Sequence, residues 1–430
     1  MPSAADRRKL AGIERAARIT EDAISFNAVV ALEIEGALDP VRLRSALDEL
    51  QRRHPLLGAA VVDSGKDCYY QFGVAGPIPL EINDVTSDEW LAVFGEQLHR
   101  RFDLAAGPLM RCQYLRSSSG GNLIIALHHI IVDGASARSL VREFLDLCSS
   151  EVRRQDAGTE VQEGRFPSSA LYPARHLGLR FGGAAAAFTA RQILDEIKFR
   201  WHSRGVRKAP IFESGLSRFL PIVVSKTLTA ALLEASRRER VTLNSILSAA
   251  MMAAVQRHLY PSPRAPLRHI VFTDLRPHLR RLVPPSQLGC YMGMFRFTVT
   301  VEREGDFWAL ANSIQNRTLR AARSGERYLS NSMSEMVLKT VLKRKSFRMA
   351  ATALSFTGPV VLPDSPGTFA VTGLHACITN FSVGPEFSAL VHLFRDQLWC
   401  DVMYLDCDMD EAVARRIAEE MKAVLEKAAC

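Results

Sequence analysis

Short β-rich runs and helical repeats alternate along both halves of the chain, and an aperiodic stretch at 150–214 separates the halves. In the first half, apolar residues at 43, 46, 47 and 50 define a helical face over Val41–His54. Pro55 ends it. Ala59–Val62 and Cys68–Phe72 read as strands joined by a turn at Asp63–Lys66. Asp88 is a candidate cap for a helix reaching about Arg101. Leu109–Leu115 and Asn122–Leu127 predict two strands around the Ser117–Gly121 turn, and Ala135–Cys148 predicts a helix. The 150–214 stretch holds charge, Gly, Pro and Ser, with one helix near 188–202. Beyond it, helices are predicted at Thr229–Arg240, Thr242–Tyr260, 306–323, 329–345 and Asp410–Lys427. Strands are predicted at His269–Thr273, Phe295–Val301, 351–356, 368–378, 387–394 and 398–405. Mixed elements in both halves predict two α/β (α+β) lobes.

Length agrees, since 430 residues exceed what one core fills, a limit of roughly 250–300 residues. A hydrophobic fraction of 47% and a charged fraction of 23% exclude disorder, collagen and a disulfide scaffold. The eight cysteines form no CxxC pair and no zinc-like spacing, so reduced, partly buried thiols and no metal are expected. The N-terminus carries no apolar run of the signal-peptide kind. The longest apolar stretch, Ile246–Val255, falls short of the roughly 18 residues of a membrane span. A cytoplasmic protein is therefore expected, with peripheral membrane contact left open.

The segment Leu127–Gly134 (LHHIIVDG) follows a strand and precedes a helix. It therefore sets two histidines and an aspartate at a strand end, and a histidine there suits a general base near neutral pH. An isolated His-His pair reads more simply as buried histidines bonded to backbone. The whole HHxxxDG pattern in a strand-turn-helix setting does not. No GxSxG, HExxH, Walker A or GxGxxG motif offers another route.

With this motif the chain resembles the CoA-dependent acyltransferase superfamily, which includes chloramphenicol acetyltransferase, nonribosomal peptide condensation domains, polyketide-associated acyltransferases and wax ester synthases. Further segments carry the resemblance in the expected order, from about residue 24 to 430. These are Leu50–Leu57, Phe102–Arg111 (FDLAAGPLMR), Thr273–Pro277 (TDLRP) and Leu288–Gly293 (LGCYMG). The resemblance implies two chloramphenicol-acetyltransferase-like lobes, each a mixed β-sheet with flanking helices, and an active-site channel between them. The expected boundaries are 1–175 for the N-terminal lobe, 176–214 for a crossover with a basic helix, and 215–430 for the C-terminal lobe. It implies an acyltransferase that moves an acyl group from acyl-CoA or an acyl carrier protein to a hydroxyl or amine, with His129 as general base. His128, Asp133, Gly134 and Arg276 are implied to be structural, with Asp133 holding Arg276 and Gly134 serving the tight turn. No cofactor is held permanently, and the CoA or phosphopantetheine thioester is a co-substrate. A monomer without nucleic-acid partners is expected.

Two departures bear on the rest of the site. Phe356 stands where many relatives have Asn, leaving Ser355, Asn380 and Ser382 as candidates for the oxyanion or substrate, and Cys290 replaces the Asn of LGN. Other readings are a non-catalytic relative that binds or recruits a carrier protein, and a wax ester synthase-like enzyme at a membrane surface. Of the 54 basic residues 44 are Arg, and the net charge is +8. Basic residues cluster at Arg191–Lys208 and Lys339–Arg348. Such runs are usually solvated faces. Beside a thioester donor they would steer CoA phosphates or an acidic carrier protein. Leu177–Ala190 together with Phe199 and Trp201 could also form an amphipathic surface touching lipid.

Overall fold

The computed structural model describes residues 7–85, 89–149, 168–172, 179–202, 215–343, 348–365 and 368–430. The proposed cap Asp88, the basic residues Arg204, Arg207, Lys208, Arg344 and Lys345, and most of 150–178 lie outside them. In chain order the elements are β1 (Arg7–Lys9), α1 (Ile13–Ala23), β2 (Asn27–Gly36), α2 (Pro40–Arg53), β3 (Ala60–Ser64), β4 (Asp67–Gln71), β5 (Leu80–Asp84) and α3 (Trp90–His99). Then come β6 (Met110–Arg116), β7 (Gly120–His128), α4 (Gly134–Ser149), α5 (Leu179–His202), β8 (Ser217–Val224), α6 (Lys226–Glu239), α7 (Leu243–Leu259), β9 (Arg264–Asp274) and β10 (Met292–Glu302). The last are α8 (Phe307–Ser324), α9 (Glu326–Leu342), β11 (Ala350–Pro359), β12 (Phe369–Ile378), β13 (Pro385–Phe394), β14 (Gln397–Leu405) and α10 (Glu411–Ala429).

Helix starts follow side-chain chemistry. Asp39, Ser225, Thr242, Asp306 and Asp410 each accept a backbone N–H of the first turn, and Pro40 sits where its missing N–H costs nothing. α1 begins at Gly12 without a side-chain cap. That helix and its neighbours β1 and β2 precede the first element that the sequence pattern marks. β5 and β8 are likewise additions, and β8 is an edge strand carrying Pro221.

The chain divides into two compact units. The first comprises Met1–Tyr172, Arg276–Tyr291 and Val360–Thr379; the second comprises Pro173–Leu275, Met292–Pro359 and Asn380–Cys430. They interleave in sequence, so single cuts at 175 and 214 do not delimit them. α5, expected as part of a crossover, belongs to the second unit and starts nine residues before the predicted 188. The first unit holds a five-stranded mixed sheet, β12-β2-β7-β6-β5, and a small antiparallel sheet, β1-β4-β3. β2 lies between β12 and β7 and is buried over most of its length, which explains its unbroken apolar run.

The second unit holds a six-stranded mixed sheet, β10-β9-β11-β13-β14-β8, with β11 parallel to both β9 and β13. Its core is built on α7, where Ile246, Leu247, Met251, Met252 and Val255 are all fully buried. A helix apolar on every side is a core helix, which accounts for the longest apolar stretch of the sequence. No helix of the described residues is long and apolar enough to cross a membrane.

The cationic run Lys339–Arg348 is partly neutralised. Lys339 pairs with Glu335 at 2.7 Å, and Arg348 with Asp408. All eight cysteines are free thiols, and among the described residues no group of three or more His, Cys, Asp or Glu could hold a metal.

Gly36 closes β2 with φ +87°, and a Cβ there would lie 2.3 Å from the Thr368 carbonyl oxygen. Gly36→Ala should therefore cost about 1–3 kcal/mol through backbone strain and the clash. Denaturant unfolding checks it: a loss under about half a kcal/mol, the level of an ordinary surface change, would show that the turn relaxes freely.

Candidate active site

β7 ends at His128, and the chain turns through His129–Asp133 into α4. All of this lies in the first unit. The turn is pinned from several sides. The Tyr70 hydroxyl of β4 donates to the Ile130 carbonyl at 2.9 Å. The His129 N–H donates to the Phe26 carbonyl at 2.9 Å, and the Phe26 ring stacks on the His129 ring with centroids 4.9 Å apart.

The two histidines are both buried, but their ring nitrogens have different partners. His128 Nδ1 accepts the Ile130 N–H at 3.1 Å, which places its proton on Nε2, facing Glu21 Oε2 at 3.2 Å. His129 Nδ1 faces the Val132 carbonyl at 2.7 Å. A carbonyl only accepts, so Nδ1 carries the proton and Nε2 keeps its lone pair. Burial holds both imidazoles below the ordinary histidine value of 6.5, against the opposing pull of these hydrogen bonds.

Glu21, on α1, is a site residue that sequence reasoning misses. Its Oε2 also accepts the Phe26 N–H at 2.6 Å. One buried carboxylate thus holds His128 directly and His129 through Phe26. No local signal singles it out: Glu14 and Thr20 are buried on the same helix, and an uncapped helix start hides the helix.

The Asp133 carboxylate is taken up by donors other than the histidines. Its Oδ1 accepts from Ala135 N, Ser136 N and Ser136 Oγ at 3.0–3.2 Å, and its Oδ2 from Arg276 Nη1 at 2.7 Å and Tyr291 N at 2.8 Å. Burial alone would raise this carboxyl. The Arg276 charge and the hydrogen bonds outweigh it and hold the group below its ordinary value. Arg276 also donates to the Gln287 and Gly289 carbonyls, and its guanidinium lies 4.5 Å over the Tyr291 ring. Gly289 has φ +139°, and a Cβ there would meet the Tyr291 ring at 2.7 Å. The LGCYMG segment is thus a bracket for the Asp133–Arg276 pair.

Gly134 corrects the sequence reading. It is the first residue of α4 and is not among the positive-φ glycines, so no left-handed turn requires it. The other candidates, Ser355, Asn380 and Ser382, lie in the second unit. The Asn380 side chain is engaged within its own turn, accepting the Phe381 N–H at 2.9 Å and donating to the Pro385 carbonyl at 3.1 Å. Ser355 sits on β11, half-buried. Ser382 is half-buried in the loop before β13.

Two family profiles match the chain: the Condensation domain over residues 16–167, and the C-terminal region of phthiocerol/phthiodiolone dimycocerosyl transferase over 214–398. The phthiocerol/phthiodiolone dimycocerosyl transferase of Mycobacterium leprae is 24% identical over 67% of this chain and 68% of its own. A plipastatin synthase of Bacillus subtilis is 33% identical over 31% of this chain, and the match spans only 5% of that synthase polypeptide. Among solved structures, a trichothecene 15-O-acetyltransferase from Fusarium sporotrichioides superposes with TM-score 0.76 at 12% identity, over 99% of this chain and 97% of that one. Polyketide synthase associated protein 5 of Mycobacterium tuberculosis does so with TM-score 0.68 at 17% identity, over 98% of both chains. The chain thus matches a condensation profile over its first part and an acyltransferase profile over its second, and its fold throughout is the one shared by condensation-type, CoA-dependent acyltransferases.

Proposed function

We propose that this protein transfers an acyl group from a thioester, either acyl-CoA or a carrier protein's phosphopantetheine arm, to a hydroxyl or amine acceptor, with His129 as general base. The observation that carries this reading is the Nδ1 contact of His129 with the Val132 carbonyl at 2.7 Å. It leaves Nε2 unprotonated on a ring that burial keeps neutral, which is the state a base needs before the reaction. In the proposed step Nε2 takes the acceptor's proton as its oxygen or nitrogen attacks the thioester carbonyl. Collapse of the tetrahedral intermediate breaks the carbon–sulfur bond, and the thiolate leaves, to be protonated as the free thiol. No resident cofactor takes part. His128, its Nε2 proton facing Glu21, is assigned a supporting role, and Asp133 with Arg276 a structural one.

A thiol-release assay over a panel of acyl-CoAs and acyl-loaded carrier proteins tests the reaction. His129→Ala should lower turnover about 10²–10⁴-fold, the usual contribution of a positioned base, while leaving the unfolding midpoint near that of the unchanged protein. Equal thiol release by both would remove His129 from the mechanism. Release by neither, with CoA or carrier donors, would favour a protein that only recruits a carrier.

The pH profile has a definite sign. A lowered histidine pKa means the neutral base persists below pH 6.5, so the acid limb of kcat/KM should fall below that value. An acid limb above 6.5 would contradict the neutral, buried ring.

The ion pair predicts a stability effect instead. Asp133→Ala or Arg276→Ala alone should cost about 3–5 kcal/mol, because each strands a buried charge. The double substitution should cost clearly less than the sum, which a double-mutant cycle on denaturant unfolding reads directly. Additive losses would mean that the two side chains are not coupled.

A further inference from the structure

Helix α5 is built inside out. Its acids face the sheet of its own unit: Glu196 lies 2.7 Å from Arg268, which is almost fully buried, and Asp195 contacts Thr298 of β10 and lies 3.8 Å from Arg268. Gln192 accepts from Arg296 at 2.7 Å. Phe199, read from the sequence as part of a surface, turns inward and lies under the Arg268 guanidinium at 3.9 Å. The outward face is the apolar one. Ile193, Leu194, Ile197 and Trp201 are 55%, 57%, 58% and 67% exposed, and their spacing puts them on one side of the helix.

This polarity is the reverse of a helix that packs its apolar stripe onto a core. Large apolar side chains exposed singly are ordinary, but four on one helical face, with the acids turned away, form a patch. The chemistry of the patch selects its partner. Both acids of α5 are on the sheet side, so the outward face presents no negative charge. Arg191 is exposed at its edge, even while paired with Glu326 at 3.0 Å. In sequence the same helix also carries Lys198 and Arg200, on a chain of net charge +8. Aliphatic residues and a terminal tryptophan on one face, with Arg191 at its edge, match an anionic lipid interface: apolar groups enter the acyl boundary, the indole sits at headgroup depth, and the cation meets phosphates.

We infer that the outward face of α5 docks this protein onto an anionic lipid surface, through Ile193, Leu194, Ile197 and Trp201 with Arg191 at their edge. This holds whatever the acyl donor and does not depend on His129.

The test uses the full-length protein with vesicles of phosphatidylcholine alone and of phosphatidylcholine mixed equally with phosphatidylglycerol. Flotation should recover the protein with the mixed vesicles, and raising the salt should weaken recovery, since the basic contribution is screened. A variant carrying Ile193→Ser, Ile197→Ser and Trp201→Ser should lower the vesicle partition coefficient at least tenfold with its unfolding midpoint unchanged, because all three side chains already face solvent. Should that triple change disturb folding, Trp201→Ser alone, with tryptophan quenching by brominated lipid as the readout, gives the same decision through the loss of lipid-dependent quenching. Unchanged binding by a folded variant would overturn the proposal. So would absence of binding by the unaltered protein. If light scattering instead finds a dimer that the triple variant dissolves, the face pairs with a second copy of the chain and the lipid assignment is wrong.

Discussion

The carboxylate of Asp133 gathers parts of the chain that are far apart in sequence. Five donors converge on it, from the start of α4, from Arg276 and from Tyr291. Three of these five are local: two are the backbone N–H bonds of an Asp that begins a helix, and the third comes from the Ser136 hydroxyl. The other two bring in the segment that follows β9, more than a hundred residues away, and set it beside the turn. Arg276 would be expensive to bury alone, and Asp133 would too. Each makes the other's position tolerable, so the arrangement is all-or-none. Its effect reaches the histidines through geometry: Val132 immediately precedes the clamped residue, and its carbonyl is the group that faces His129 Nδ1. A charge pair that touches no reacting atom thus anchors the residue next to the carbonyl that faces the proposed base.

What can be read in the sequence follows from where the information is local. Asp133 and Arg276 can be paired from sequence because each stands in a short segment with a recognisable pattern, and the structure puts them 2.7 Å apart. Caps such as Thr242, Asp306 and Asp410 are local in the same sense, and the helices they start lie within a residue or two of their expected positions. Glu21 is out of reach. Its importance depends on β2 lying between β7 and β12 and bringing α1 under the histidines, and nothing near Glu21 encodes that. The division into units is hidden for a similar reason: Val360–Thr379 joins the first unit because β12 pairs with β2, a contact spanning more than three hundred residues. Gly134 and Phe199 mislead in the opposite way. Their residue types suggest a turn and a surface, where the backbone and an arginine decide otherwise.

His128 and His129 show how finely such a fold sorts chemistry. They are neighbours in sequence and equally deprived of water, and burial depresses both pKa values. Charge therefore does not distinguish them; both are neutral near pH 7. The tautomer does. A backbone N–H pointing at Nδ1 of His128 sends its proton to Nε2, where a carboxylate faces it. A backbone carbonyl pointing at Nδ1 of His129 keeps the proton there and leaves Nε2 open. Exchanging those two backbone groups would exchange the two side chains' abilities without altering either residue. The capacity to accept a proton is thus a property of the turn rather than of histidine itself. It follows that residues with no chemistry of their own, Tyr70 holding the Ile130 carbonyl and Asp133 holding the far end of the turn, support the tautomer on which the proposed reaction depends.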